Sequence, residues 1–539
     1  MSPCILTILP DDMTLSVETG TPLVEALNRA GIHLTLPCGG EGRCGKCLVR
    51  ISTNAPPPTE NDRRFLRESV LTEGLRLACS VLVTDSMEVH VPPALRINEA
   101  AGSWDDVRIS TDHSESEERL GLAVDLGTTS IAAALVSLNS GRIYAQSSTL
   151  NPQAPYGADV ISRINAVSKN PDSLNTLTRL AGGAINELAE RMVKRLGTTP
   201  DRITRITVAG NPTMEHLFFG IDPTSIALAP FSPAFTDAQV KKAGDLGLKT
   251  DPDADVYLFP VISGYVGGDT LAFIHSARMH KDSQVMLGID IGTNGEIVLS
   301  AGGRILACSA AAGPAFEGAQ ITHGMRADLG AIEGVVISDT DVTVTVKGDV
   351  PPRGICGSGL FDAVSEMLRA RVLTEAGRIT SPGAKNPLAE RIRKDENGTE
   401  FVLSSANHND SRIGGILGIT QKDIRQVQLA KGAIQTGAEI LLMEASLAWE
   451  DVDRVLIAGA FGNYLKPESI VGVGIIPPGL IGSIHFVGDA ALTGAASVVA
   501  DESAREEIEA LAERIEYIEL SSDSRFNERF IKRLSFSYT

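Results

Sequence analysis

Three cysteines and four glycines crowd into Pro37-Cys38-Gly39-Gly40-Glu41-Gly42-Arg43-Cys44-Gly45-Lys46-Cys47, and a fourth cysteine follows in Leu75-Arg76-Leu77-Ala78-Cys79. Four thiolates can hold the two irons of one [2Fe–2S] cluster, three from a short loop and one from a distance. Cys38, Cys44, Cys47 and Cys79 are that set. The glycines let backbone N–H groups approach sulfur, where they help to set the potential. A four-cysteine zinc site ordinarily shows two C-x2-4-C pairs, and Cys79 has no near partner. Disulfides are disfavoured by the odd total of seven cysteines and by a start, Met1-Ser2-Pro3-Cys4, without a basic stretch leading into an apolar one.

A second chemistry is written twice. Leu122-Ala123-Val124-Asp125-Leu126-Gly127-Thr128-Thr129 recurs as Leu287-Gly288-Ile289-Asp290-Ile291-Gly292-Thr293-Asn294, and an apolar stretch follows each. Strand, D-x-G-T turn and returning strand in two copies indicate an internal duplication. Gly127 and Gly292 admit phosphate oxygens to backbone N–H groups, and Thr128, Thr129, Thr293 and Asn294 add polar donors. Asp125 and Asp290 suit Mg²⁺, held through water against the β- and γ-phosphates of ATP. Each copy is followed by an apolar strand running into glycine, Ile206–Asn211 and then Val455–Asn463. In the second of these, Gly459, Ala460 and Gly462 would let a nucleoside lie on the backbone. Gly357-Ser358-Gly359 is read as a further nucleotide-facing loop, with helix entry as the alternative. Asp269 and Glu296 are candidates to orient the hydrolytic water, with a structural role as the alternative for each. His323 is read as a satisfied loop histidine, Cys308 and Cys356 as buried thiols.

The elements that must position these groups follow from local patterns. Ile5–Leu9 and Thr14–Glu18 read as strands around an Asp11-Asp12 turn. Thr21 is expected to cap a helix with Pro22 at its first position and Leu23, Leu27 and Ala30 on one face, ending at Gly31. Cys47 to Ile51, Val81 to Val83 and Met87 to Val91 read as further strands. Between Glu99 and Arg119 the pattern gives way to polar, acidic chain, a linker. Gln421 to Leu447 predicts a long helix whose stripe of Ile424, Val427, Ile434, Ala438 and Leu441 faces a core. The expected division is 1–94, a linker over 95–119, one half over 120–283, and a second half with insertions over 284–539. At 539 residues the chain exceeds one core. A net charge of −19 disfavours nucleic acid, and no apolar run reaches the ~18–20 residues of a membrane span. A cytoplasmic protein is expected.

Strand, strand, helix and cysteine loop is the order of a β-grasp ferredoxin, and the C-x5-C-x2-C spacing resembles bacterial and adrenodoxin-like ferredoxins. Residues 120 to about 520 resemble the actin, sugar-kinase and heat-shock-chaperone ATPases (the ASKHA superfamily). Asp125–Thr129 and Asp290–Asn294 match their phosphate loops, and Val455–Gly462 their adenosine loop. The fold expected is therefore an α+β β-grasp ferredoxin domain followed by a duplicated α/β ribonuclease-H-like (actin-like) ATPase, with the nucleotide between the halves. Asn151-Pro152-Gln153 with Tyr156–Val160, Ala312–Gly318 and Ile355–Leu360 narrow the likeness. The whole chain resembles the [2Fe–2S] type of reductive activator of corrinoid proteins.

That resemblance implies an ATP-hydrolysing iron–sulfur activase. It would pass one electron to the Co(II) corrinoid of a methyltransferase-system protein and regenerate Co(I). It also implies an upstream electron donor and allows a homodimer. A plant-type cluster lies near about −400 mV and the cobalt couple is expected lower. A ~100 mV deficit corresponds to about 2.3 kcal/mol for one electron, which differential binding of ATP states could offset. Two other readings compete: a metabolite kinase with a redox-sensing ferredoxin domain, and an ATP-gated partner-binding module with a structural cluster. Activators of 2-hydroxyacyl-CoA dehydratases are a nearer rival, but they resemble a single ATPase unit with a subunit-bridging [4Fe–4S] cluster.

Overall fold

The structure, a computed structural model, describes residues 4–32, 34, 36, 38, 40–42, 45–92, 95, 108–109, 119–292, 294–318, 321–348, 350–383, 385–395, 398–405, 416–459 and 465–537. The chain divides into two units. One is Met1–Gly264 with Ala495–Ser503; the other is Tyr265–Gly494 with Ala504–Thr539.

The N-terminal part of the first unit is a β-grasp. Its five-stranded sheet runs Met13–Val17, Cys4–Leu9, Met87–His90, Leu48–Thr53, Leu75–Leu77. The first strand pairs antiparallel with its hairpin partner and parallel with Met87–His90, the return that a crossing helix makes feasible. Side chains alternate as strand geometry requires: Cys4, Leu6 and Ile8 turn inward to Leu23, Leu27, Val49, Leu77 and Val89. The helix occupies Leu23–Arg29 and Thr21 does not cap it. Thr21-Pro22 instead pairs with Leu82-Val83, and the Thr21 hydroxyl donates to the Glu18 carbonyl at 2.7 Å. Of the expected linker, Arg108-Ile109 joins the edge of the next sheet beside Ala145-Gln146; most of the remainder lies outside the described residues.

That next sheet has seven strands, in the order Gln239–Lys242, Asp255–Leu258, Ile203–Gly210, Leu120–Leu126, Ser130–Ser137, Ile143–Leu150, Arg108–Ile109. The second unit repeats its central plan with Ile484–Gly488, Arg454–Ala458, Met286–Ile291, Gly295–Ala301, Arg304–Ala310 and Ile515–Tyr517. In both, an antiparallel meander continues into parallel strands, the ribonuclease-H-like arrangement, now in duplicate. Central strands covered on both faces read as unbroken apolar runs. Leu120–Leu126 and Met286–Ile291 are buried throughout except at one residue each, Asp125 and Asp290.

The insertions in the second unit are two three-stranded sheets, one built on Ala331–Ile337 and one on Gly398–Ser405. The long helix runs Gln421–Glu444, and its stripe is buried as expected. Thr420 and Asp423 close a reciprocal capping box at its start. It stops short of Leu447 because Ser446 takes a left-handed conformation, φ 58°. No helix among the described residues is long and apolar enough to cross a membrane.

Candidate functional site

Cys47 and Cys79 meet at one end of the β-grasp, with Cys38 near enough for its charge to act on the Cys79 thiol; Cys44 lies outside the described residues. Cys47 precedes the strand Leu48–Thr53 and Cys79 sits in the single turn Ala78–Ser80. Two hydrogen bonds place that turn: Ala78 N–H donates to the Cys47 carbonyl at 2.7 Å, and Leu77 N–H to Asp62 Oδ1 at 2.8 Å. Asp62 is fully buried, and its other oxygen accepts from the Thr59 backbone and hydroxyl in a capping box at the helix Glu60–Phe65. Sequence reading missed this brace, although T-x-x-D before a helix is a capping signature.

The result is a Cys47 Sγ to Cys79 Sγ distance of 3.2 Å, far beyond the ~2.0 Å of a disulfide bond and close enough for two sulfurs to share one metal. The Cys79 thiol is lowered to about 7, by its hydrogen bond with Cys47 first, against burial, with further help from Ser80 and the Gly42 N–H. Gly42 has φ 69°, and a Cβ there would sit 2.2 Å from Asn61 Nδ2. Two soft thiols in contact, one of them readily ionised, with Cys38 acting on it through its charge, fit a thiolate-held iron–sulfur cluster.

In the first ribonuclease-H-like half, Asp125 is the next-to-last residue of the strand Leu120–Leu126, and Gly127, Thr128 and Thr129 turn the chain. The carbonyls of this turn are tied into the protein. Asn151 Nδ2 donates to Gly127 O at 2.9 Å, Arg163 Nη2 to Thr128 O at 2.5 Å, and Asn151 N–H to Thr129 O at 2.9 Å. In a trans peptide the N–H opposes the C=O. Drawing in the carbonyls of Gly127, Thr128 and Thr129 therefore turns the N–H groups of Thr128, Thr129 and Ser130 the other way. Thr128 Oγ1 is held by Asn211 Nδ2 at 2.9 Å.

Arg163 is wholly buried, and also donates to Gly157 O at 3.0 Å and Gln153 Oε1 at 2.9 Å. It is the main brace of this turn, and sequence reading passed it over. Arg163→Ala strands three acceptors at ~1–3 kcal/mol each. We expect it to cost at least ~3 kcal/mol of stability and to weaken ATP binding by about tenfold. Arg163→Lys should not rescue it, because an ammonium lacks the planar fork. Thermal unfolding and nucleotide titration read both effects.

The second unit gathers three carboxylates. Asp290 and Glu296 are paired residues of adjacent strands, and the charges of Asp269 and Asp290 both act on Glu296. Burial first, then those two charges, push Glu296 well above the ordinary carboxylate range. Ser309 Oγ donates to Glu296 Oε1 at 3.4 Å. Asp269, in the first turn of the helix Gly268–Ser276, is raised to about 6 by burial, against the Thr270 N–H that donates to it at 2.7 Å. Gly459 closes on this group: φ is 103°, and a Cβ would lie 2.9 Å from Asp290 Oδ1. Gly292 and Asn294 form the turn after Asp290, with Gly292 N–H donating to Asn294 O at 3.0 Å. Thr293, Ala460 and Gly462 lie outside the described residues.

Gly357, Ser358 and Gly359 are the buried first turn of the helix Gly357–Arg369, not a loop. A Cβ on Gly359 would meet Ile332 O at 2.1 Å, so packing explains that glycine. Asp489 was missed; it follows the strand Ile484–Gly488, burial raises it, and its Oδ1 accepts from Leu492 N–H at 2.8 Å. His323 meets Glu400 Oε1 at 3.1 Å and is satisfied; Cys308 and Cys356 are buried.

Comparison with known proteins covers the chain in three segments. Residues 6–84 match the 2Fe-2S iron-sulfur cluster binding domain, 120–282 the RACo middle region, and 284–539 the C-terminal domain of RACo, the ASKHA domain. The chain is 30% identical over 580 aligned residues to the corrinoid activation enzyme RamQ of Eubacterium limosum, covering 94% of each. It is 26% identical to the [Co(II) methylated amine-specific corrinoid protein] reductase of Methanosarcina barkeri, covering 77% of each. A solved structure titled "Reductive activator for corrinoid,iron-sulfur protein" aligns with TM-score 0.71 and 31% identity over 99% of this chain and 98% of that one.

Proposed function

The chain belongs to the family of RACo-type reductive activators of corrinoid proteins, and from that premise we propose that it uses ATP to return a partner corrinoid protein from Co(II) to Co(I). The observation that carries the reading is the likeness along 99% of the chain to a reductive activator. When bound, a [2Fe–2S] cluster supplies one electron at a time. Cys38, Cys47 and Cys79 hold it, with Cys44 as the fourth ligand. Gly127, Thr128 and Thr129 in one half, and Gly292, Thr293, Asn294, Gly459, Ala460 and Gly462 in the other, bind the nucleotide. Ser358 with Gly357 and Gly359 buttresses it from a helix start. Asp125 and Asp290, hard oxygen donors at strand ends, suit Mg²⁺ held through water. Asp269 positions the attacking water beside Glu296.

Four further assignments rest on this reading. A separate electron donor reloads the cysteine centre. Thiolate ligation suits a reducing compartment, the cytoplasm. A homodimer is our expectation for the assembly. The division into 1–94, 95–119, 120–283 and 284–539 is likewise our reading; family matches begin at 120 and at 284, and the first match spans 6–84.

The test mixes cluster-loaded protein, a one-electron reductant and a Co(II) corrinoid protein, with and without ATP. Co(I) absorbance should rise only with ATP. Equal rates without ATP would remove the coupling, and a phosphorylated metabolite in place of Co(I) would favour the kinase reading.

A further inference from the structure

A second constellation, in the unit of Tyr265–Gly494 and Ala504–Thr539, takes no part in the chemistry above. His275 lies in the last turn of the helix Gly268–Ser276. The chain then reverses through Arg278, a non-glycine residue at φ 54°, a conformation that costs energy and marks a constrained turn. The reversal stacks His280 on His275, with ring centroids 5.7 Å apart and planes 16° apart. Glu507, on the helix Ser503–Arg514, reaches the same spot. His280 Nε2 is in short contact with Glu507 Oε1, and His275 Nδ1 stands 3.7 Å from that same oxygen. One ligand atom from each of the three lies within 4.8 Å of the other two, and no other group of this kind occurs among the described residues.

The burial is unusual for these groups. The His280 side chain is 4% exposed and that of His275 12%. The Nδ1 atoms of both are buried without a hydrogen-bond partner. A buried polar atom left unpaired costs about 1–3 kcal/mol, so such atoms call for an explanation. Burial drives His275 towards the neutral form, which is the metal-binding form. Its Nδ1 stands 3.7 Å from a carboxylate oxygen, too far for a hydrogen bond, and a cation between the two would engage both. The competing occupant is Lys281, whose Nζ donates to Glu507 Oε1 at 2.6 Å. Its side chain is about half exposed and can turn to water.

We propose that His275, His280 and Glu507 form a site for a zinc-class divalent cation, with water completing the shell. Two histidines and one carboxylate, with a fourth position open, is an established zinc donor set. At ~2.0–2.2 Å from each ligand, a cation replaces the direct His280–Glu507 contact and engages the His275 nitrogen. It would pin the helix that begins at Gly268 to the helix Ser503–Arg514. The site is independent of the corrinoid reading and would stand if that failed.

The probe is Zn²⁺ added to the full chain with its iron–sulfur cluster assembled, so that the cluster cysteines are occupied. Elemental analysis after gel filtration, and competition against a chromophoric zinc chelator, should find one zinc per chain with the cluster absorbance unchanged. Zn²⁺ should also raise the melting temperature. Glu507→Gln, an isosteric change at a partly exposed helix position, should weaken binding by more than the ~10–100-fold that loss of a ligand's outer hydrogen-bond partner costs. It should also abolish the thermal shift while ATP binding persists. His275→Ala with His280→Gln should do the same. Failure of the cluster-loaded wild-type chain to bind equimolar zinc would overturn the proposal. So would wild-type affinity in Glu507→Gln or in the double variant.

Discussion

Cys79→Ser is expected to leave an ATPase that no longer passes an electron. Co(I) formation should fall by ~100-fold or more, since losing a ligand costs beyond the ~10–100-fold of losing a ligand's outer partner. Iron and sulfide content and the visible absorption of the cluster should fall with it. ATP hydrolysis measured without the corrinoid partner should persist. The physical reason lies in how the fold prepares that sulfur. With the Cys79 thiol lowered to about 7, roughly half of it is thiolate at neutral pH, against the few per cent of a free cysteine. A serine hydroxyl supplies neither the softness nor the charge.

The brace can be tested apart from the ligand. The Leu77 N–H held by Asp62 and the Ala78 N–H held by the Cys47 carbonyl fix the turn that carries Cys79. If Cys79→Ser kept full activation, the cysteine centre would not lie on the electron's path, and the chain would be read again as an ATP-gated clamp.

How much of this was legible depended on whether a residue's role was local. Cysteine spacing states its chemistry directly, and an aspartate ending an otherwise apolar strand stands out at both Asp125 and Asp290. Thr21 was misjudged because a helix-start composition before Pro22 is also what a two-residue ladder to Leu82-Val83 accepts. Gly357–Gly359 reads as a ligand loop or a helix entry; it starts a helix, and the Ile332 carbonyl passing over Gly359 keeps that residue small. Arg163 is the hardest case. In Val160–Lys169 it reads as a solvent-facing helix charge, and only the folding back of Gly157 and Gln153 and the arrival of the distant Thr128 carbonyl make it a buried one. His275 and His280 are five apart and straddle a helix end, so no helical period links them; the left-handed Arg278 brings them together.

Asp269→Asn is the second change expected to have a large effect, and the reason is a contest between two carboxylates. A general base must be ionised at the working pH and yet retain proton affinity. Glu296 sits under burial and the charges of Asp269 and Asp290, which hold its proton on well above the ordinary range. Asp269 is raised to about 6 by burial, more basic than a free aspartate, while the Thr270 N–H and hydroxyl that donate to it favour its ionised form. We propose Asp269 as the group that accepts the proton from the attacking water. Wild-type kcat for ATP should fall by about tenfold per pH unit below pH 6 as Asp269 takes up a proton, and be flat above it. Asp269→Asn should lower kcat by ~100-fold or more, the lower end of what a positioned base contributes, and the acidic limb of the profile should vanish with it. Glu296→Gln, which keeps shape and neutrality, should retain most of the turnover and the limb. The reverse pattern, a silent Asp269→Asn and a dead Glu296→Gln, would move the base from the helix Gly268–Ser276 to the strand beside Asp290.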